Sequence, residues 1–393
     1  VMASCGWLVV AGICPGRAEG ERIWTNQAGK TIRGSVISAS EREVVLKLDN
    51  GRTYTIKLES LSEADRDYVS GWRRHSRRPE SASSLAAAEP RTTAGFSDPW
   101  PQGVKANASE RIKVVEENSE TNRYVYQTEH FEFHADIRLS NSVINEFSRI
   151  FEATYAALAA MPLDHGLSPG NDRRHFRTRL YRNDRDYFNA GGPPQSTGVF
   201  QGRSREVLIP MSSLGLREVG RRVTLEPGGI NNTLIHELVH QLTAFDRWNA
   251  PTWYVEGSAD YLASAPFRKG RFYFEKRAEE VIESVEHDMT GETFEVPSLS
   301  GMFETIPAQF YGGTRDSMMR RYRMSLLMVT YFFHMDGGGK GTAIKKYLSA
   351  LASGKRESYD RNELLKGRSV AQLESEFLAA WQKEGLELVI SGR

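Results

Sequence analysis

Cysteine is nearly absent: Cys5 and Cys14 are the only two in 393 residues. Past position 14 the chain has no disulfide available and no thiolate for a metal, so any metal bound there must take His, Asp or Glu ligands. An excess of one charge is lacking too. Lys and Arg number 51 against 50 Asp and Glu, a formal net charge of +1, which excludes a general attraction to nucleic acid or to an anionic membrane. Beyond the leader no apolar run approaches the ~20 residues of a spanning helix, so no transmembrane span is expected. The glycine run Gly337 to Gly341 lacks both the spacing of a phosphate-binding loop and a preceding strand, and reads as a turn.

What is there begins with VMASCGWLVVAGICPGRAEG, an apolar stretch ending in small residues at Gly16 and Ala18. It reads as a secretory signal peptide, residues 1–18, cleaved after Ala18, and predicts a secreted or periplasmic (cell-envelope) protein. Cys14 offers lipid anchoring as an alternative, against which the bulk of Ile13 argues. Residues 21–72 alternate β-rich runs with turn signals, as in Val44 to Leu48, Asp49-Asn50-Gly51 and Thr53 to Leu58, and predict a small all-β barrel. Residues 73–108 turn to Ser, Ala, Pro, Arg and Gly and read as a disordered linker, its basic run Arg73 to Arg78 solvated.

Residues 109–393 open with strands at Tyr124 to Gln127 and His130 to Ala135. A helix follows from Ser140 to Met161, with Val143, Ile144, Phe147, Phe151, Tyr155 and Leu158 at helical spacing. A strand at Arg177 to Tyr181 and a hairpin made of Ser196 to Phe200 and Glu206 to Pro210 complete the β-rich half, and the chain beyond Gly229 reads as mostly helical. The fold class is therefore α+β. In HFEFH, residues 130–134, Phe131 and Phe133 face a core, leaving His130, Glu132 and His134 on the face turned to water. His334 is expected at a helix C-terminus, where positive charge is favoured.

The stretch NTLIHELVHQLTAF, Asn232 to Phe245, places Leu234, Leu238, Leu242 and Phe245 at helical spacing, with Asn231 or Asn232 suited to cap it. His236 and His240 are then four apart, one above the other on a single face, where two imidazoles reach one ion. Glu237 lies about 100° around the helix, placed to reach a water beside the ion rather than the ion itself. A catalytic metal of this type takes a third protein ligand. Asp246 would supply it only if the helix broke near Thr243. Glu256, on the helix expected after Pro251, is favoured, with Asp260 one turn on accepting the free ring N–H of a ligating histidine.

HELVH followed by WYVEGSADY, Trp253 to Tyr261, resembles the gluzincins, the thermolysin-like zinc metallopeptidases. The E-G-x-A-x-Y form is similar in particular to the peptidase-MA-like bacterial family. The resemblance covers roughly residues 120–390 and implies a zincin-like domain with a mixed sheet and then a mostly helical lobe. It implies Zn2+ held by His236, His240 and Glu256, with Asp260 behind them, and peptide-bond hydrolysis with Glu237 as general base on a peptide or protein substrate. Along Met318 to His334, the stripe Tyr322, Leu326, Val329 and Phe333 has one polar member, Tyr322, expected to donate to the oxyanion. The competing expectation is a catalytically inactive, zincin-fold binding or cell-surface scaffold protein. Trp24, Asp49-Asn50-Gly51-Arg52, Leu61 to Asp65 and Tyr68 resemble the Sla homology domain, a small Src-homology-type barrel of secreted bacterial proteins, which implies a protein or cell-envelope ligand for residues 21–72.

Overall fold

The computed structural model describes residues 22–27, 31–39, 43–48, 53–62, 65, 66, 69, 99–106, 112–163, 165–169, 173–193, 196–202, 204–214, 216–219, 222–225, 232–243, 250–287, 294–352 and 361–391. The signal-peptide reading of residues 1–18 and the candidate ligand Asp246 lie outside them. The chain divides into two units, residues 15–91 and the remainder.

In the smaller unit β1 (Arg22–Thr25), β2 (Thr31–Ala39), β3 (Glu43–Leu48) and β4 (Thr53–Lys57) form an antiparallel meander in that order. Trp24, Val44, Leu46, Leu61 and Val69 make its core. The buried carboxylate of Asp65 accepts from the Thr25 amide at 2.7 Å and the Ser62 hydroxyl at 3.0 Å, tying the chain after β4 back to β1. Among the described residues the four strands form one sheet, and an isolated antiparallel bridge between Asn26 and Leu61, with the Ser62 amide donating to the Thr25 carbonyl at 2.8 Å, joins the end of β1 to the chain after β4.

The larger unit starts earlier than composition implies. Residues 99–106, predicted as linker, are ordered: β5 (Gly103–Lys105) pairs with a later hairpin, and Trp100 stacks 4.4 Å from Phe333. An isolated tryptophan and one short apolar run do not outweigh Pro and Gly in a sequence window, yet both find partners more than 160 positions away.

The main sheet is mixed. It comprises β6 (Lys113–Asn118), β7 (Arg123–Gln127), β8 (Phe131–Ala135), β9 (Phe176–Tyr181), β10 (Val199–Gln201) and β11 (Glu206–Pro210), in the order β10-β11-β9-β8-β7-β6. The pairs β8–β9 and β9–β11 are parallel and the others antiparallel. Helix α1 (Asn141–Ala160), capped by Ser140, connects β8 to β9 and lays Phe147 and Phe151 against Phe131 and Phe133. Short α2 (Asp184–Asn189) precedes β10, and the hairpin β12 (Leu216–Val219) and β13 (Arg222–Leu225) follows β11.

Helices then dominate. They are α3 (Asn232–Leu242), α4 (Thr252–Ala263), α5 (Arg277–His287), α6 (Leu299–Glu304), α7 (Pro307–Phe310), α8 (Arg315–His334), α9 (Thr342–Ala352), α10 (Asn362–Leu365) and α11 (Val370–Lys383). The hairpin β14 (Phe267–Arg268) and β15 (Arg271–Tyr273) carries the pairing with β5. The parallel pair β16 (Phe294–Val296) and β17 (Leu388–Ile390) closes the C-terminal end. Strands first and helices afterwards make this an α+β unit. Among the described residues no helix is long and apolar enough to cross a membrane.

Two expectations for individual histidines are corrected. His130 does not share a face with Glu132 and His134: it precedes β8, is buried, and pairs with the buried Glu152 of α1 at 2.6 Å, its ring on Tyr155. Glu132 and His134 do lie opposite Phe131 and Phe133, but they are half-buried and bonded to each other at 2.5 Å, with Arg177 on Glu132 at 3.1 Å. Neighbouring strands supply arginines that the sequence of β8 alone does not reveal. His334 ends α8 as expected but is held neutral. Burial and the nearby Arg277 bring its pKa down to about 4, and its Nε2 accepts from Tyr261 at 2.8 Å.

Candidate metal centre

Helix α3 is buried along most of its length because the sheet covers one side and α4 the other, so Leu234, Leu238 and Leu242 are nearly inaccessible and the two histidines emerge beside α4. Gln241 fixes its height, donating from Nε2 to the Arg177 carbonyl of β9 at 2.6 Å. Helix α4 begins directly after Pro251 and is itself pressed against α8. Gly257 is what allows this approach: a Cβ there would stand 2.3 Å from the Ser325 carbonyl oxygen. The glycine next to Glu256 thus sets how closely that carboxylate's helix meets its neighbour.

Three side chains converge. His236 Nε2 lies 2.9 Å from His240 Nε2, and Glu256 Oε2 lies 3.3 Å and 3.5 Å from these two nitrogens. Ligand atoms on one tetrahedral ion at the usual zinc distances sit about 3.3 Å apart, so the triangle has the size of a metal's ligand set. Glu256 Oε2 is buried without a hydrogen-bond partner, pointing at that shared space. His236, His240 and Glu256 can therefore hold a metal ion, and they are the one such group among the described residues.

The surrounding groups orient the three. Asp260 Oδ1 accepts from His236 Nδ1 at 2.7 Å, which leaves Nε2 with its lone pair toward the centre. Tyr311, in the loop after α7, donates its hydroxyl to the other oxygen of Glu256 at 2.5 Å. The Phe200 amide of the edge strand β10 donates to Glu237 Oε2 at 3.0 Å. Tyr322 on α8 has its ring 6.3 Å from that of His236 and a buried hydroxyl without a partner. A cavity of about 520 Å³ opens beside them, lined by Thr233, His236, Asp260, Glu283, Tyr322 and Leu326 among others.

Electrostatics agree with a cation site. The buried Glu237 and Glu256 and the half-buried Asp260 place three carboxylates around two imidazoles, an excess of negative charge that a largely dry interior tolerates only if compensated. Burial pushes the Glu237 carboxyl up, partly offset by both histidines. Burial would do the same to Glu256, but the imidazoles outweigh it and hold that carboxyl well below the usual range. His236 is raised well above its ordinary value: burial works against its charged form, and the Asp260 and Glu256 carboxylates more than reverse that.

Of the residues expected from sequence, His236, His240, Glu256 and Asp260 are brought into direct contact, and Glu237 and Tyr322 flank them. Tyr311 and the Phe200 amide were not anticipated. Tyr311 lies outside any periodic stripe, and a backbone N–H carries no sequence signal at all. No protein-family model matches the chain, and it matches none of the curated proteins.

Proposed function

We propose that this chain is a zinc metallopeptidase of the gluzincin, peptidase-MA-like kind, hydrolysing peptide bonds in a secreted or periplasmic setting. The observation that carries the reading is a buried two-histidine, one-glutamate triangle with an unliganded carboxylate, Glu237, beside it. A purely structural metal site has no use for that carboxylate. Two imidazoles and one carboxylate are a donor set suited to zinc, and they leave a position open. When bound there, zinc supplies Lewis acidity that polarises a carbonyl and eases loss of a proton from water.

The chain's own groups divide the remaining work. Glu237, raised by burial toward working pH, takes a proton from the attacking water and returns it to the leaving amine. The Phe200 amide holds that carboxylate in register with β10. Among the described residues strand β10 is the last strand on its side of the main sheet, and a peptide adding to it would pass over Glu237. Tyr322 offers its unpartnered hydroxyl to the developing oxyanion, a contribution of roughly 3 kcal/mol for one such donor. The small β unit, in this reading, tethers the enzyme or recruits protein.

The test is metal stoichiometry together with peptide hydrolysis. Wild type should carry one zinc per chain and cleave an unfolded protein substrate; Glu237→Gln should keep the zinc and lose hydrolysis by about 10²- to 10⁴-fold. A Gln variant as fast as wild type removes Glu237 from the mechanism. Zinc-loaded wild type that cleaves no peptide leaves the binding-scaffold alternative in front.

A further inference from the structure

Glu256 has two oxygens and the metal space needs one. A carboxylate free to rotate can also bind through both, taking a second coordination position and closing the place where a substrate oxygen or water must enter. One contact opposes this: the Tyr311 hydroxyl donates to Oε1 at 2.5 Å, while Oε2 faces the histidine nitrogens. We propose that Tyr311 is a positioning residue of the metal site, holding Glu256 monodentate. This rests on the metal-binding reading of the triangle and not on peptidase activity.

The loop that carries Tyr311 is built to hold it still. Arg321 of α8 donates from Nε to the Phe310 carbonyl at 2.7 Å and from its terminal nitrogen to the Gly312 carbonyl, so the backbone is clamped on both sides of Tyr311. Gly313 takes φ +86°, which turns the chain into α8, and a Cβ at Gly312 would stand 2.6 Å from the Ala308 carbonyl oxygen. Phe310 is fully buried and meets both tyrosine rings edge-on, Tyr311 at 5.2 Å and Tyr322 at 5.1 Å. Two tyrosines thus share one support yet differ in use. The Tyr311 hydroxyl is committed to the ligand, whereas that of Tyr322 has no partner.

Cobalt(II) reads the difference without any substrate. Four-coordinate tetrahedral cobalt absorbs visible light more strongly than five- or six-coordinate cobalt, because the d–p mixing that lends intensity to the d–d transitions is greatest in a tetrahedral field and vanishes at an inversion centre. Full-length metal-free protein titrated with Co2+ should give a strong tetrahedral spectrum. Tyr311→Phe should bind about 10- to 100-fold more weakly and show a weaker band as Glu256 becomes bidentate. Tyr322→Phe, which loses a hydroxyl from the same cluster, should match wild type in both measures. An unchanged affinity and spectrum in Tyr311→Phe overturns the proposal, as does an equal loss in Tyr322→Phe, which would assign the effect to general packing. Wild type that binds no cobalt overturns the metal-site reading and the positioning role with it.

Discussion

At the scale of single residues, the site separates ligands from the groups that aim them. His240→Ala and Glu256→Ala each remove a donor and should abolish stoichiometric zinc, measured by elemental analysis. Asp260→Asn keeps the donors and spoils only the His236 tautomer, so affinity should fall by about 10- to 100-fold without being lost. His334 makes a separate prediction. Its folded pKa of about 4 lies below the ordinary value near 6.5, so between these pH values the unfolded chain binds the extra proton and the folded chain does not. Stability should therefore fall as pH drops from 6.5 toward 4, by on the order of 3 kcal/mol, and His334→Gln should flatten that part of the urea-denaturation profile. The histidine pair and Glu237 were legible because a helix repeats at a known angle. The place of His334 at a helix end was legible too, but its charge and the surroundings of His130 were not, because their partners, Tyr261 and Arg277 in one case, Glu152 in the other, come from other elements.

At the scale of elements, the metal triangle depends on how α3, α4 and α8 are spaced. Gly257 sets one of those distances. Gly257→Ala puts a methyl group into the Ser325 carbonyl and should cost about 1–3 kcal/mol by overpacking. Because the strain sits next to Glu256, zinc affinity should fall in the same variant, a pairing that a calorimetric melt and a zinc titration would check. A drop in melting temperature with unchanged zinc affinity would show that α4 shifts without carrying Glu256 along. The periodicities of α1, α3 and α8 were legible in sequence, and so was the alternation of β8.

For the whole molecule, the boundary of the larger unit is the main revision. Residues 99–106 supply Trp100, against Phe333, and β5, against β15. A fragment of residues 92–393 should fold, whereas one of residues 109–393 should melt lower by on the order of 10 °C, the loss expected for a tryptophan's packing in a unit of this size. Equal melting temperatures would return those residues to the linker. The sequence by itself determined the α+β class, the absence of cysteine ligands past residue 14, and the candidate set His236, Glu237, His240, Glu256, Asp260 and Tyr322. All of these follow from composition or from spacing within one element, where local geometry is fixed. Only the tertiary structure decided that Glu256 meets the histidines, that Tyr311 holds its second oxygen, that the Phe200 amide takes Glu237, and where the larger unit begins. Each of these joins residues far apart in the chain, and such contacts are set by packing, which no local period encodes.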